Sequence, residues 1–86
     1  MENATHTPGP WAIQITGGEK EVVTGSTKGL WATIEGPNFE TRHANARLIA
    51  AAPELLAALQ RLVHPAADDT DVTHALDVIA RATGAA

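Results

Sequence analysis

Few side chains in this sequence are equipped for covalent chemistry. Ser26 is the only serine, and no neighbouring base marks it as an activated nucleophile. The four histidines, His6, His43, His64 and His74, lack the HExxH-type spacing that brings two imidazoles to one metal. There is no cysteine, so neither a thiolate metal site nor a disulfide framework is available. What remains is chemistry of binding. The turn "GSTKG" (Gly25–Gly29) sets the hydroxyls of Ser26 and Thr27 beside Lys28, and such backbone-rich turns cradle phosphates. It lacks the GxxxxGK[ST] spacing of a P-loop, and an ordinary exposed hairpin turn is the plainer use. Trp11 and Trp31 offer faces on which a base stacks, against a core or interface role for each. Arg42, His43 and Arg47 form a basic set at a helix start, suited to an anion or simply solvated.

Composition narrows the partners. The chain has 86 residues and a net charge of −4, with a calculated pI near 5.4. That balance opposes general nucleic-acid binding through phosphates, and it is too mild for a mimic of DNA. A single domain of this size buries only roughly 60–65% of its unfolded surface, so self-association is a common supplement. The longest apolar stretch is interrupted by Asn45, Arg47, Pro53 and Glu54, which excludes a membrane span. "MENATHTPGP" has no basic region and no apolar core, so no secretory signal is expected, and the chain reads as cytoplasmic. No cofactor is implied.

The elements that must position these groups read in the order βββαα, an α+β fold in one domain spanning residues 1–86. Residues 1–7 form a polar lead, 8–36 a β-meander and 38–83 a helical part. "TPGPW" (Thr7–Trp11) is a rigid turn set by two prolines around Gly9. In "WAIQIT", Trp11, Ile13 and Ile15 alternate with smaller or polar residues, the period of a half-buried strand. Gly17-Gly18 turns the chain into a second strand, "KEVVT", and "GSTKG" turns it into a third, "LWATIE". There Leu30, Ala32 and Ile34 share one face, with Trp31, Thr33 and Glu35 on the other. Pro65 ends the long helix, and Asp68, Asp69 or Thr70 caps a last one near Thr70–Thr83. Its apolar face is Val72, Ala75, Leu76 and Ile79, and Gly84 is its stop.

The long helix, "ANARLIAAAPELLAALQRLV" (Ala44–Val63), carries Leu48, Ala52, Leu55, Leu59 and Leu62 at steps of four and three. The stripe keeps its phase across Pro53, which favours one kinked helix over two. Burial of its large apolar residues then offsets the proline's cost of roughly 3 kcal/mol. The alternative seats Pro53 in the first turn of a second helix, with Ala52 a poor cap before it. His43, Arg47, Glu54 and Arg61 fall in one narrow polar sector, and alanines cover much of the rest. Such a helix suits cover by the sheet on one side and by a second chain on another, most simply in a dimer. Asn45 stands on the apolar side. Either it caps the helix or it lies inside it as a buried polar group needing a partner.

"TPGPW" together with "ANARLIAAAPELLAALQRLV" resembles a group of small proteins encoded by tailed bacteriophages and prophages. The resemblance covers Thr7–Trp11 and Ala44–Val63 and implies a β-meander opened by the turn and closed by the helix. It implies origin more firmly than activity. By analogy of size and context, small non-catalytic phage proteins include anti-defence "sponges", homo-oligomers that sequester nucleotide immune signals between subunits. The expectation is therefore a non-enzymatic accessory protein that holds a small anionic ligand, such as a cyclic nucleotide. Trp11 or Trp31 would stack on it, Ser26, Thr27, Lys28, Arg42 and Arg47 would hold phosphate, and Asn45 would read a polar edge. The rival expectation is an interaction module whose apolar helix docks on a host or phage protein.

Overall fold

The computed structural model describes residues 6–16, 21–25 and 30–84. Strands β1 (Ala12–Ile15), β2 (Glu21–Thr24) and β3 (Trp31–Thr33) form an antiparallel meander with β2 in the centre. Ile13, Val23 and Ala32 stand side by side in register. This row and Ile34 meet Ala46 of helix α1 (Phe39–Ala50), with Trp11, Leu30 and Ala50 closing the cluster. The inward parity of Leu30, Ala32 and Ile34 is as the alternation predicts. Ile15 departs from the expected pattern: on the edge strand β1 it is mostly exposed.

Asn38 starts α1, its side-chain oxygen accepting from the Thr41 N–H at 2.8 Å. Asn45 is therefore no cap. It lies nearly two turns inside the helix, exposed rather than buried, and its amide donates to the Glu35 carbonyl at 3.1 Å. Its work is to tie α1 to the end of the meander.

The favoured single kinked helix is two helices. α1 closes at Ala51, and α2 runs Ala52–Leu62 with Pro53 in its first turn. Ala51 bridges them, donating to the Arg47 carbonyl at 3.1 Å and accepting from Leu55 at 2.9 Å. No side chain caps α2. Pro53 has no N–H for the carbonyl four residues back, and its ring crowds that carbonyl, so the chain turns before it. Apolar phase survives because the break consumes one residue that is itself near-helical (φ −82°, ψ −3°).

Helix α3 (Asp69–Thr83) has a complete capping box. The Asp68 carboxylate accepts from Thr70 and Asp71 N–H groups, while Asp71 accepts from the Asp68 N–H. Gly84 ends it in the left-handed region at φ +74°. Arg61 near the end of α2 meets Asp71 near the start of α3, and Leu55 packs against the cluster Ala58, Ala75 and Val78. The two helices thus form an antiparallel hairpin seamed by small residues.

The faces turn out opposite to the sequence expectation. The polar sector faces neighbouring elements: His43 reaches Glu21, Arg47 lies against Gly84 and Glu54 near Gly9, while Arg61, itself exposed, reaches Asp71. Leu48, Leu59 and Leu62 of the leucine stripe are exposed, and only Leu55 packs into the α2–α3 seam. On α3 the inward residues are Ala75, Val78 and Ala82, whereas Val72, Leu76 and Ile79 face solvent. Alanine wins the inner positions because it lets helices approach closely, and the long charged side chains reach partners across the seam.

Candidate functional site

Among the described residues, those expected to bind a ligand do not all converge. Trp11 is half-buried on the α1 side of the sheet, and its indole N–H donates to the Thr7 carbonyl at 3.0 Å, closing the "TPGPW" turn. Trp31 is 64% exposed, and its strand parity puts it on the other side of the sheet. Within one chain the two indoles therefore cannot clamp a base between them. The Arg42 guanidinium donates to the Gly36 carbonyl. Arg47 lies against Gly84 at the C-terminal end of α3, where a cation suits the helix dipole. Asn45 is engaged by Glu35. Ser26, Thr27 and Lys28 lie outside the described residues.

One member of the basic set, His43, is engaged by an acid of the chain itself. His43 Nδ1 donates to Glu21 Oε2 at 3.0 Å, and Phe39 stacks on the imidazole with ring centres 5.8 Å apart. Glu21 is wholly buried, and its Oε1 has no hydrogen-bond partner among the described residues. The pair pins α1 across the central strand. Its signal in the sequence was the parity of Glu21 with Val23, which turns the carboxylate towards the helix.

Two open depressions flank Arg61. One, of about 380 Å³, lies against Ala57, Gln60, His64 and Asp71; the other, of about 440 Å³, against Thr70, Thr73 and His74. Neither includes a residue expected to bind ligand. Asp71 is held below the usual aspartate range, first by its hydrogen bond from the Asp68 backbone and then by Arg61. Among the described residues no group of acids and histidines is placed to hold a metal ion.

The largest unexplained feature is apolar. Leu56 and Leu59 of α2, Val63 at its C-terminal cap, and Val72, Leu76 and Ile79 of α3 all stand exposed, with Leu59 at 59% and Leu76 at 63%. Scattered apolar exposure is ordinary, but two adjoining helices each presenting such a row make a patch of the kind that marks an interaction site.

A family model of the Salmonella phage P22 protein Y8K6 matches residues 1–86, the whole chain. The chain belongs to that family. It is thus a phage protein, as the resemblance of its turn and helix implied. No curated protein and no solved structure gives a significant match. Within this Y8K6-family chain, no helix among the described residues is long and apolar enough to cross a membrane.

Proposed function

We propose that this phage protein works by binding rather than by catalysis, in the cytoplasm of the infected cell, through the apolar face of α2 and α3. The single observation behind this reading is that face: large apolar side chains stand outward while the α2–α3 seam is closed by Ala58, Ala75 and Val78.

The test is a phage encoding this chain with Leu59→Glu and Leu76→Glu together. Loss of fitness equal to that of a gene deletion, with the protein still folded and present, supports the reading. Growth indistinguishable from wild type would overturn it.

Sequestration of a small anionic ligand, such as a cyclic nucleotide immune signal, between protomers is the second reading. Exposed Trp31 is the observation favouring it, since a tryptophan free of the core is available for stacking. Titration calorimetry against cyclic di- and trinucleotides and cyclic ADP-ribose isomers decides it. Absence of micromolar binding removes it and leaves the apolar-face reading intact.

A further inference from the structure

We infer that His43 is the nucleophilic histidine of this chain, a modification site whose Nε2 takes a phosphoryl group from an activated donor, with Glu21 as its positioning residue. The inference stands on the Glu21–His43 pair and is independent of the apolar face.

Orientation comes first. Glu21 is wholly buried, and its Oε2 accepts from His43 Nδ1 at 3.0 Å. The proton of the neutral ring is thereby held on Nδ1, which leaves the lone pair on Nε2. Phe39 stacks on the imidazole within 9° of parallel and steadies the plane of the ring. The His43 side chain keeps 40% of its surface open. Among the described buried and half-buried residues, Glu21 Oε1 is the one side-chain nitrogen or oxygen both shut from solvent and unpaired. Nε2 of half-buried His43 has no partner among them either, so it reaches solvent. An imidazole oriented by a buried carboxylate, with its second nitrogen open, is a ring arranged to act as a nucleophile.

Charge comes second. With no donor on Oε1, the Glu21 carboxylate spends itself on the single imidazole N–H. Burial strengthens that interaction, because no water screens it. In the transfer, the Nε2 lone pair forms a bond to phosphorus as the bond from phosphorus to the donor's leaving group breaks. The leaving group departs with that electron pair, and the Nδ1 proton stays on the ring. The ring turns cationic, and Glu21 Oε2 already faces the charge that develops. An acyl group on an exposed imidazole is soon lost to water, whereas a phosphoryl group persists at neutral pH. Phosphoryl is therefore the modification that such a site retains.

The other histidines lack this arrangement. His64 Nδ1 accepts from the Ala66 N–H at 3.0 Å, which occupies its lone pair and puts the neutral ring's proton on Nε2. Among the described residues no carboxylate holds a ring nitrogen of His6 or His74. The histidines are chemically unequal, although their spacing in the sequence gives no sign of it.

The experiment treats the folded full chain with potassium phosphoramidate and locates the added phosphoryl group by mass spectrometry at neutral to alkaline pH. Labelling of His43 at least about tenfold faster than of His64, and than of His43 in the urea-unfolded chain, is expected. Nitrogen NMR of the imidazoles is the second readout, with His43 in the Nδ1–H form and His64 in the Nε2–H form. Glu21→Gln keeps the size and an acceptor oxygen but removes the charge. It should slow labelling of His43 by about tenfold while circular dichroism shows the fold intact. His64→Gln should leave the His43 rate unchanged. If Glu21→Gln unfolds, the wild-type rate ratios and the ring tautomers decide alone. His43 labelled no faster than His64, or found in the Nε2–H form, overturns the inference. So does an unchanged His43 rate in folded Glu21→Gln.

Discussion

Gly9 sits directly on Pro53: a Cβ built on Gly9 would lie 2.8 Å from the Pro53 Cβ and 3.2 Å from its Cγ. The turn that opens the fold and the proline that divides its helical part are therefore one contact. That juxtaposition explains why "TPGPW" and "AAAPELL" occur in the same chain. Pro53 ends α1, begins α2 and supplies the surface on which the turn rests, while Trp11 closes the turn behind it.

Gly9→Ala should therefore destabilise the protein by about 1–3 kcal/mol, since a proline ring cannot swing aside as a flexible side chain does. Urea unfolding followed by tryptophan fluorescence measures it. A midpoint unchanged from wild type would mean that the turn does not rest on Pro53 in solution.

At the far end of the helices, Gly84→Ala meets two obstacles. Its φ of +74° disfavours any Cβ, and that Cβ would run into the Arg47 guanidinium. A loss of about 1–2 kcal/mol is expected. Arg47→Ala in the same chain should recover the steric part and leave the backbone part, so the two changes will not add. Strict additivity in thermal melts would remove Arg47 from the account.

The meander and the inward parity of its third strand were legible because a period of two admits only two faces. The α3 stop at Gly84 was legible, and its cap was narrowed to Asp68, Asp69 or Thr70, because such signals act locally; the reciprocal bond from Asp71 was not read. The direction of the helical faces was not. Sequence spacing groups Leu48, Leu55 and Leu59 with one another but says nothing of which group turns inward. That choice depends on long-range partners such as Glu21 for His43 and Asp71 for Arg61. A leucine stripe is also the natural core of a larger assembly, so its spacing is the same in either case. The engagement of the expected ligand residues was illegible for a related reason. Trp31 apart, the described residues expected to touch a ligand are engaged within the chain, by backbone carbonyls, the core or a helix end.

The Glu21–His43 pair gives a sharper test of burial. His43→Ala leaves a buried carboxyl without its hydrogen-bond partner, and a loss of about 1–3 kcal/mol is expected from stranding such a group. Replacing both, as Glu21→Leu with His43→Leu, removes the stranded charge along with its partner. The double variant should be more stable than His43→Ala alone in denaturant titrations. The opposite order would show that the carboxylate is solvated rather than buried.

Acid should loosen α3 before the rest of the chain. The Asp71 carboxylate is held below the usual aspartate range because it accepts from the Asp68 N–H and from Arg61. A group whose pKa is depressed by folding adds stability that is complete above its unfolded value and lost as pH falls through its folded value. The loss therefore belongs below about pH 4, not near neutrality. Asp71→Asn cannot titrate, so its α3 should lack that component of the acid response while starting from a lower stability at pH 7. Amide exchange at Thr70–Thr73 across pH 2–6, corrected for intrinsic rates, reads the difference. Equal acid sensitivity in wild type and Asp71→Asn would assign the response to another carboxylate.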